Sequence, residues 1–169
     1  MVSININSMM DYQESIMKMF NDESPASQYR RWFNEQGKLF TDVDVELSKS
    51  LSHDLKSEIK QCYTNCAKAV LFDYRNQYDY YEGQVYWKGI PIDHAFLVKD
   101  NKVVDITFGI DPKIRIKRAK KYGIDLKEKD HEFGTEYFGV KIPRAKLLKL
   151  VSGKRTHLPT SFLYWETLK

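Results

Sequence analysis

Cysteine is scarce in this chain: two residues in 169, at Cys62 and Cys66. Two thiols cannot build the disulfide framework of a small secreted domain. Their spacing is not the Cys-x-x-Cys of a zinc site either. The four histidines, His53, His94, His131 and His157, are scattered. No metal or cofactor is therefore expected, and His53, His131 and His157 are expected at the surface. Long apolar runs are missing as well: no stretch reaches the roughly 18 residues that a membrane-spanning helix needs. The opening MVSININSMMDYQESIMKMF lacks the basic start, apolar block and small-residue cleavage site of a secretory signal. Together these absences predict a protein of the reducing cytoplasm, without a membrane partner. Internal repeats and low-complexity tracts are also missing.

What is present is aromatic bulk, with three Trp, nine Phe and eleven Tyr in a chain that is 42% hydrophobic and 30% charged. Such a composition supports a packed core and excludes disorder. Met9 to Phe20 has apolar residues at helical spacing, and a second helix is predicted from a Ser27 cap to Gly37. Phe40 to Leu51 is ambiguous. Leu55, Ile59, Cys62, Tyr63, Cys66, Ala67 and Val70 share one face of a helix predicted over Leu55–Phe72. From Tyr80 the period changes to two. Strands are predicted over Tyr80–Trp87, Asp93–Val98 and Lys102–Phe108, joined by turns at Lys88–Pro91 and Asp100-Asn101. Tyr137–Ile142 is a further strand, Pro143–Val151 a short helix ended by Gly153, and Thr160–Trp165 a final strand or edge. Helices first and an antiparallel sheet afterwards give an α+β class, with residues 1–50 a helical extension on a core of residues 51–169.

Charge is nearly balanced, at a net +4. The excess is local: Lys113, Arg115, Lys117, Arg118, Lys120 and Lys121 place six positive charges in nine residues. Asp111-Pro112 starts a helix there, stopping at Tyr122-Gly123. This basic stretch is either a solvated helix face or a patch for an acidic or nucleic-acid partner.

One constellation carries chemistry. A thiol nucleophile needs a base to remove its proton and a third group to orient that base. The thiol is best placed at a helix N-terminus, where the helix dipole favours negative charge. Cys62 falls on the strong helical segment, His94 on the second strand and Asp105 on the third. A two-residue turn at Asp100-Asn101 pairs His94 with Ile106 or Thr107. Opposite Thr107, His94 has Asp105 as a diagonal neighbour on the same face; a one-residue slip would send Asp105 to the other face. A helix continuous from Leu55 would put Cys62 in mid-helix, whereas a break near Ser57 to Gln61 would put it at a helix start.

The segments Gln61-Cys62-Tyr63-Thr64-Asn65-Cys66-Ala67, Tyr81-Glu82-Gly83, His94-Ala95-Phe96-Leu97-Val98 and Val104-Asp105-Ile106-Thr107 resemble the core of the transglutaminase-like and papain-like cysteine enzymes. Adding Tyr137-Phe138-Gly139-Val140, the chain also resembles small bacterial and phage proteins with a Cys-Tyr-x-Asn motif and a later Tyr-x-Gly strand. The likeness covers roughly residues 58 to 143. It implies a papain-like core and a thiol protease, amidase, deamidase or transglutaminase activity on a protein or peptide amide. Cys62 would be the nucleophile, His94 the general acid/base and Asp105 its orienter; a phage-encoded member would act in the host cytoplasm. Cys66, where a small alanine is usual, is expected to pack.

Gln61 and Asn65 are candidates for oxyanion or polar support, with Asn65 as a tie between the helix and a nearby loop. Glu82, Tyr81 and Trp87 are candidates for the substrate cleft, against the plainer readings of solvation for Glu82 and strand packing for the aromatics. The competing function is a non-catalytic phage or bacterial factor on the same fold, engaging a host protein or nucleic acid through the basic stretch.

Overall fold

In the computed structural model, which describes residues 8–127, 132–153 and 160–169, the strands are β1 (Lys38–Phe40), β2 (Asp79–Trp87), β3 (Ile90–Lys99), β4 (Lys102–Val104) and β5 (Glu136–Ile142). The helices are α1 (Met9–Met19), α2 (Pro25–Gln36), α3 (Val45–Asp54), α4 (Cys62–Phe72), α5 (Pro112–Lys120), α6 (Arg144–Gly153) and α7 (Thr160–Glu166). His131 and His157 lie outside the described residues.

The strands form one antiparallel sheet in the order β1-β5-β2-β3-β4. Lys88 and Gly89 both take positive φ (51° and 81°), which is the backbone of the tight two-residue turn that joins β2 to β3. Asp100 and Asn101 do the same between β3 and β4, with φ of 50° and 64°. The first turn leaves Pro91 opposite Tyr86, one pair beyond Trp87 and Ile90. Its missing N–H falls on the side away from β2, where β4 does not reach, so the strand tolerates it.

The sheet curls on itself. Lys38–Phe40 pairs with β5, and three residues on Val43 bridges Val103 of β4. The Val103 N–H donates to the Asp42 carbonyl and the Asp44 N–H to the Val103 carbonyl, at 2.9 and 2.8 Å. One stretch of chain thus joins the two edges. The enclosed face is filled by Phe40, Tyr81, Val85, Phe96, Val103 and Tyr137. The outer face is covered twice. Cys66, Ala69 and Val70 of α4 and Leu147 of α6 press on Tyr80, Ala95, Leu97 and Ile142. Met9, Tyr29, Phe33 and Trp165 of α1, α2 and α7 cover Tyr86, Phe138 and Val140.

Several sequence expectations change. The Leu55–Phe72 helix is not one helix: α3 ends at Asp54, residues 55–61 form a loop, and α4 begins at Cys62. The third strand stops at Val104, so Asp105 opens a turn instead of lying on a strand. Thr160–Trp165 is helical because Ser161 and Trp165, four residues apart, both point into the cluster around Tyr29. Ser24, not Ser27, caps α2. A boundary at residue 50 would cut α3, whose Leu47 and Leu51 belong to the core, and would strip β1 from the sheet. Residues 38–54 are therefore core, and only α1 and α2 form a helical extension.

Gly83 sits opposite Gly139 on β5 and His94 on β3. A Cβ at Gly83 would lie 2.0 Å from the Phe138 carbonyl oxygen and 2.4 Å from the Gly139 Cα. Both obstacles are backbone, so the strands themselves would have to part. Gly83→Ala is expected to lower stability by about 1–3 kcal/mol, read from the urea midpoint.

Candidate active site

Nothing in the apolar spacing of Leu55, Ile59 and Cys62 stops a helix; the break comes from contacts outside it. The Ser57 N–H donates to the Ser52 carbonyl (3.0 Å), and Lys56 and Lys60 turn the chain with φ of 52° and 60°. Arg118 Nη1 donates to the Ser57 carbonyl at 2.7 Å, and Lys68 Nζ to the Leu55 carbonyl at 2.7 Å. Asn65 completes the restraint. Its Oδ1 accepts from the Glu58 N–H (3.1 Å), while its Nδ2 donates to the Glu58 carbonyl (2.7 Å) and to Thr107 Oγ1 (3.0 Å). This buried amide therefore ties α4 to the loop before Cys62 and to the turn after Asp105. Its removal leaves the Glu58 N–H and carbonyl and the Thr107 hydroxyl, all part-buried, without this partner. Asn65→Ala is expected to cost about 1–3 kcal/mol by urea denaturation and to loosen the approach to Cys62.

Cys62 is thus the first residue of α4, with Gln61 as the N-cap. A negative charge on its sulfur would face the helix end whose N–H groups have no intrahelical acceptor. Cys66, one turn on, is fully buried, and its thiol donates to the Ala95 carbonyl at 3.3 Å. Burial, reinforced by Asp105, pushes that thiol well above its ordinary range.

His94 projects from β3 onto the enclosed face, 5% exposed. Its Nε2 lies 2.8 Å from Asp105 Oδ2, and the Cys62 side chain lies near enough to the ring to help hold its proton. With Nε2 on the carboxylate, Nδ1 is the nitrogen left for the thiol. Phe108 packs edge-on against the imidazole at 5.5 Å, with Trp87 behind it at 5.8 Å.

Asp105 is fully buried, and every oxygen is occupied. Oδ1 accepts from the Thr107 and Phe108 N–H groups, both at 3.0 Å, and Oδ2 accepts from His94 and from the Tyr137 hydroxyl at 2.9 Å. Its own N–H donates to Ser48 Oγ at 2.9 Å, and that hydroxyl donates to the Asp44 carbonyl at 2.6 Å. Neither Ser48 nor Tyr137 carries a role signal in the sequence. Burial alone would raise the Asp105 carboxyl, but His94 and these donors outweigh it and hold it below 3.8. Burial alone would likewise lower His94; Asp105, aided by Cys62, outweighs it and pushes the imidazole up to about 10. The two residues form a buried ion pair.

The linkage has a definite sign. The stability contributed by His94 is complete below pH 6.5 and is lost as pH rises toward about 10. That of Asp105 is present above pH 3.8 and is lost as pH falls through its lowered folded value. In Cys62→Ser, whose hydroxyl does not titrate, unfolding free energy is expected to fall above pH 6.5 by up to about 1.4 kcal/mol per pH unit. Urea titrations at several pH values check this, and His94→Ala in the same background should flatten the slope.

The remaining candidates divide. Gln61 is exposed at the mouth, with Oε1 accepting from Thr64 Oγ1 at 3.2 Å. Glu82 is buried, not solvated: Oε1 accepts from the Tyr80 hydroxyl (2.7 Å) and Oε2 from the Ser161 N–H (2.9 Å), and burial raises its carboxyl. It floors a small cleft with Tyr29, Tyr63 and Asp93. Tyr81 stacks on Phe96 at 5.6 Å inside the curl. Trp87 is half-buried and donates from Nε1 to the Glu132 carbonyl at 3.0 Å. Within the basic stretch, Lys113, Lys117, Lys120 and Lys121 are exposed, whereas Arg115 lies 4.5 Å over the Phe108 ring and Arg118 holds Ser57. The stretch is therefore partly structural. His53 is exposed beside Asp54.

Among the described residues no group of three or more His, Cys, Asp or Glu side chains is placed to hold a metal ion, and no helix is long and apolar enough to cross a membrane. Comparison with protein-family models, curated proteins and solved structures finds no match in any of the three.

Proposed function

We propose that the chain is a cysteine-dependent acyl-transfer enzyme acting through Cys62, His94 and Asp105. One observation carries the reading: a partly exposed thiol at the first residue of a helix sits beside a buried imidazole whose Nε2 is fixed on a fully satisfied carboxylate. Each part answers a chemical need. With the shared proton on His94, as its raised pKa favours, the Cys62 thiolate attacks an acyl carbon. The tetrahedral oxyanion forms beside the Cys62 N–H. His94 then passes its proton to the departing amine or alcohol, and a thioester remains on Cys62. Attack by water or an amine, its proton taken by His94, releases the acyl group and restores the thiol. Asp105 holds one tautomer throughout and stabilises the imidazolium.

Support comes from the chemistry alone, and the substrate class stays at an acyl group: amide, ester or thioester. An activated ester tests it. With para-nitrophenyl acetate, a burst of nitrophenolate near one per chain is expected, with the acetyl group found on Cys62 by peptide mass spectrometry. Cys62→Ser should abolish the burst. Acetylation spread over surface lysines, with no Cys62 adduct, would refute the proposal.

A further inference from the structure

A second feature lies on the other side of Phe108. A cavity of about 640 Å³ opens between the end of α3, the loop after it and the start of α5. That volume is in the range of small-ligand sites. Its floor and walls are apolar: Phe108, Ile110, Pro112, Ile114 and Phe133. Its rim carries Lys49, Lys56 and Arg118 against one carboxylate, Asp111, whose Oδ1 already accepts from the Lys113 and Ile114 N–H groups. Lys49 also pairs with Glu46 at 3.1 Å on the exposed side.

A second observation concerns Ser57 in the cavity wall. Ser57 lines the cavity and is 5% exposed, yet its hydroxyl has no hydrogen-bond partner among the described residues. The rest of the residue is satisfied: its N–H donates to Ser52 and its carbonyl accepts from Arg118. A buried hydroxyl left over in this way is uncommon in folded proteins and calls for a partner. Two ammonium groups and a guanidinium around an apolar hollow match one kind of guest.

We propose that this cavity binds an amphipathic anion, its carboxylate or phosphate head on the Lys56 and Lys49 ammonium groups, and its apolar body against Phe108, Ile114 and Phe133. The proposal is independent of the acyl-transfer chemistry, since neither Cys62 nor His94 lines the cavity.

Isothermal titration with decanoate, decyl phosphate and decyltrimethylammonium tests it on the full chain. One saturable site per chain is expected for the two anions, and none for the cation. The stronger of the two anions identifies the head group. Lys56→Glu alone is expected to weaken anion binding about tenfold. Lys49→Glu with Lys56→Glu should weaken it at least as much. Ile114 is 44% exposed, so Ile114→Trp can fill the cavity without disturbing the core and should block binding. Cys62→Ser should leave binding unchanged. Equal binding of the cation, no saturable site for either anion, or binding that survives Ile114→Trp would overturn the proposal.

Discussion

Iodoacetamide is expected to alkylate Cys62 in the folded protein at neutral pH while leaving Cys66 untouched, a difference of about two orders of magnitude or more. The contrast follows from position. Cys62 is partly exposed at a helix start beside His94, whereas Cys66 is sealed under β3 with its proton on the Ala95 carbonyl and its thiol pushed upward by burial. His94→Ala removes the group that takes the Cys62 proton, and labelling should slow by about tenfold or more. Site-resolved mass spectrometry over a time course measures both rates. Equal and slow labelling of the two thiols would remove the basis for a nucleophile at Cys62.

The second large effect is at Asp105, where two substitutions are expected to separate architecture from chemistry. Asp105→Ala leaves two amide N–H groups, the Tyr137 hydroxyl and a buried His94 without their acceptor. A loss of about 3–5 kcal/mol is expected, visible as a large drop in the urea midpoint. Asp105→Asn keeps the shape. Its carbonyl oxygen can serve the Thr107 and Phe108 amides, which turns its NH₂ toward His94 Nε2 and the Tyr137 oxygen. The imidazole must then accept at Nε2 and carry its proton on Nδ1, the nitrogen meant to receive the thiol proton. Asp105→Asn is therefore expected to fold with a modest loss of midpoint yet to label at Cys62 nearly as slowly as His94→Ala. A fast-labelling Asp105→Asn would show that Asp105 serves the fold alone.

Much of this arrangement was legible in the sequence because it rests on local rules. Period-two alternation marks β2 and β3, the Asp100-Asn101 pair fixes a two-residue turn, and counting outward from that turn sets the register. Val98 pairs with Val103 and Leu97 with Val104, the register that the turn predicts; the ladder ends there, and the turn that follows brings Asp105 to His94. Asp111-Pro112 likewise marks the start of α5, with Gly123 at positive φ (70°) beyond its end.

The illegible parts depend on distant contacts. Leu55 and Ile59 continue the apolar stripe of α4, so only Ser52, Asn65, Lys68 and Arg118, acting through the backbone, reveal that the helix starts afresh at Cys62. Thr160–Trp165 has the aromatic content of a strand, and what makes it helical is a surface built by Tyr29 and Phe138, well over a hundred and some twenty residues earlier in the chain. Ser48 could not be found from its neighbours, since a serine on a helix face has no mark that distinguishes an acceptor for a buried N–H from a solvated hydroxyl.

The partners of Asp105 have a kinetic consequence. Ser48 lies 57 residues before it and Tyr137 lies 32 after it, and Phe40 and Val43 must close the curl around both. Contacts so far apart in sequence form slowly, because the intervening chain has to be closed into loops first. A half-folded chain can hold α4 and the β2–β3 hairpin and still lack an oriented imidazole. The Cys62 thiol should therefore stay quiet through most of refolding and become reactive only in the last phase, a chemical clock for the arrival of the native state.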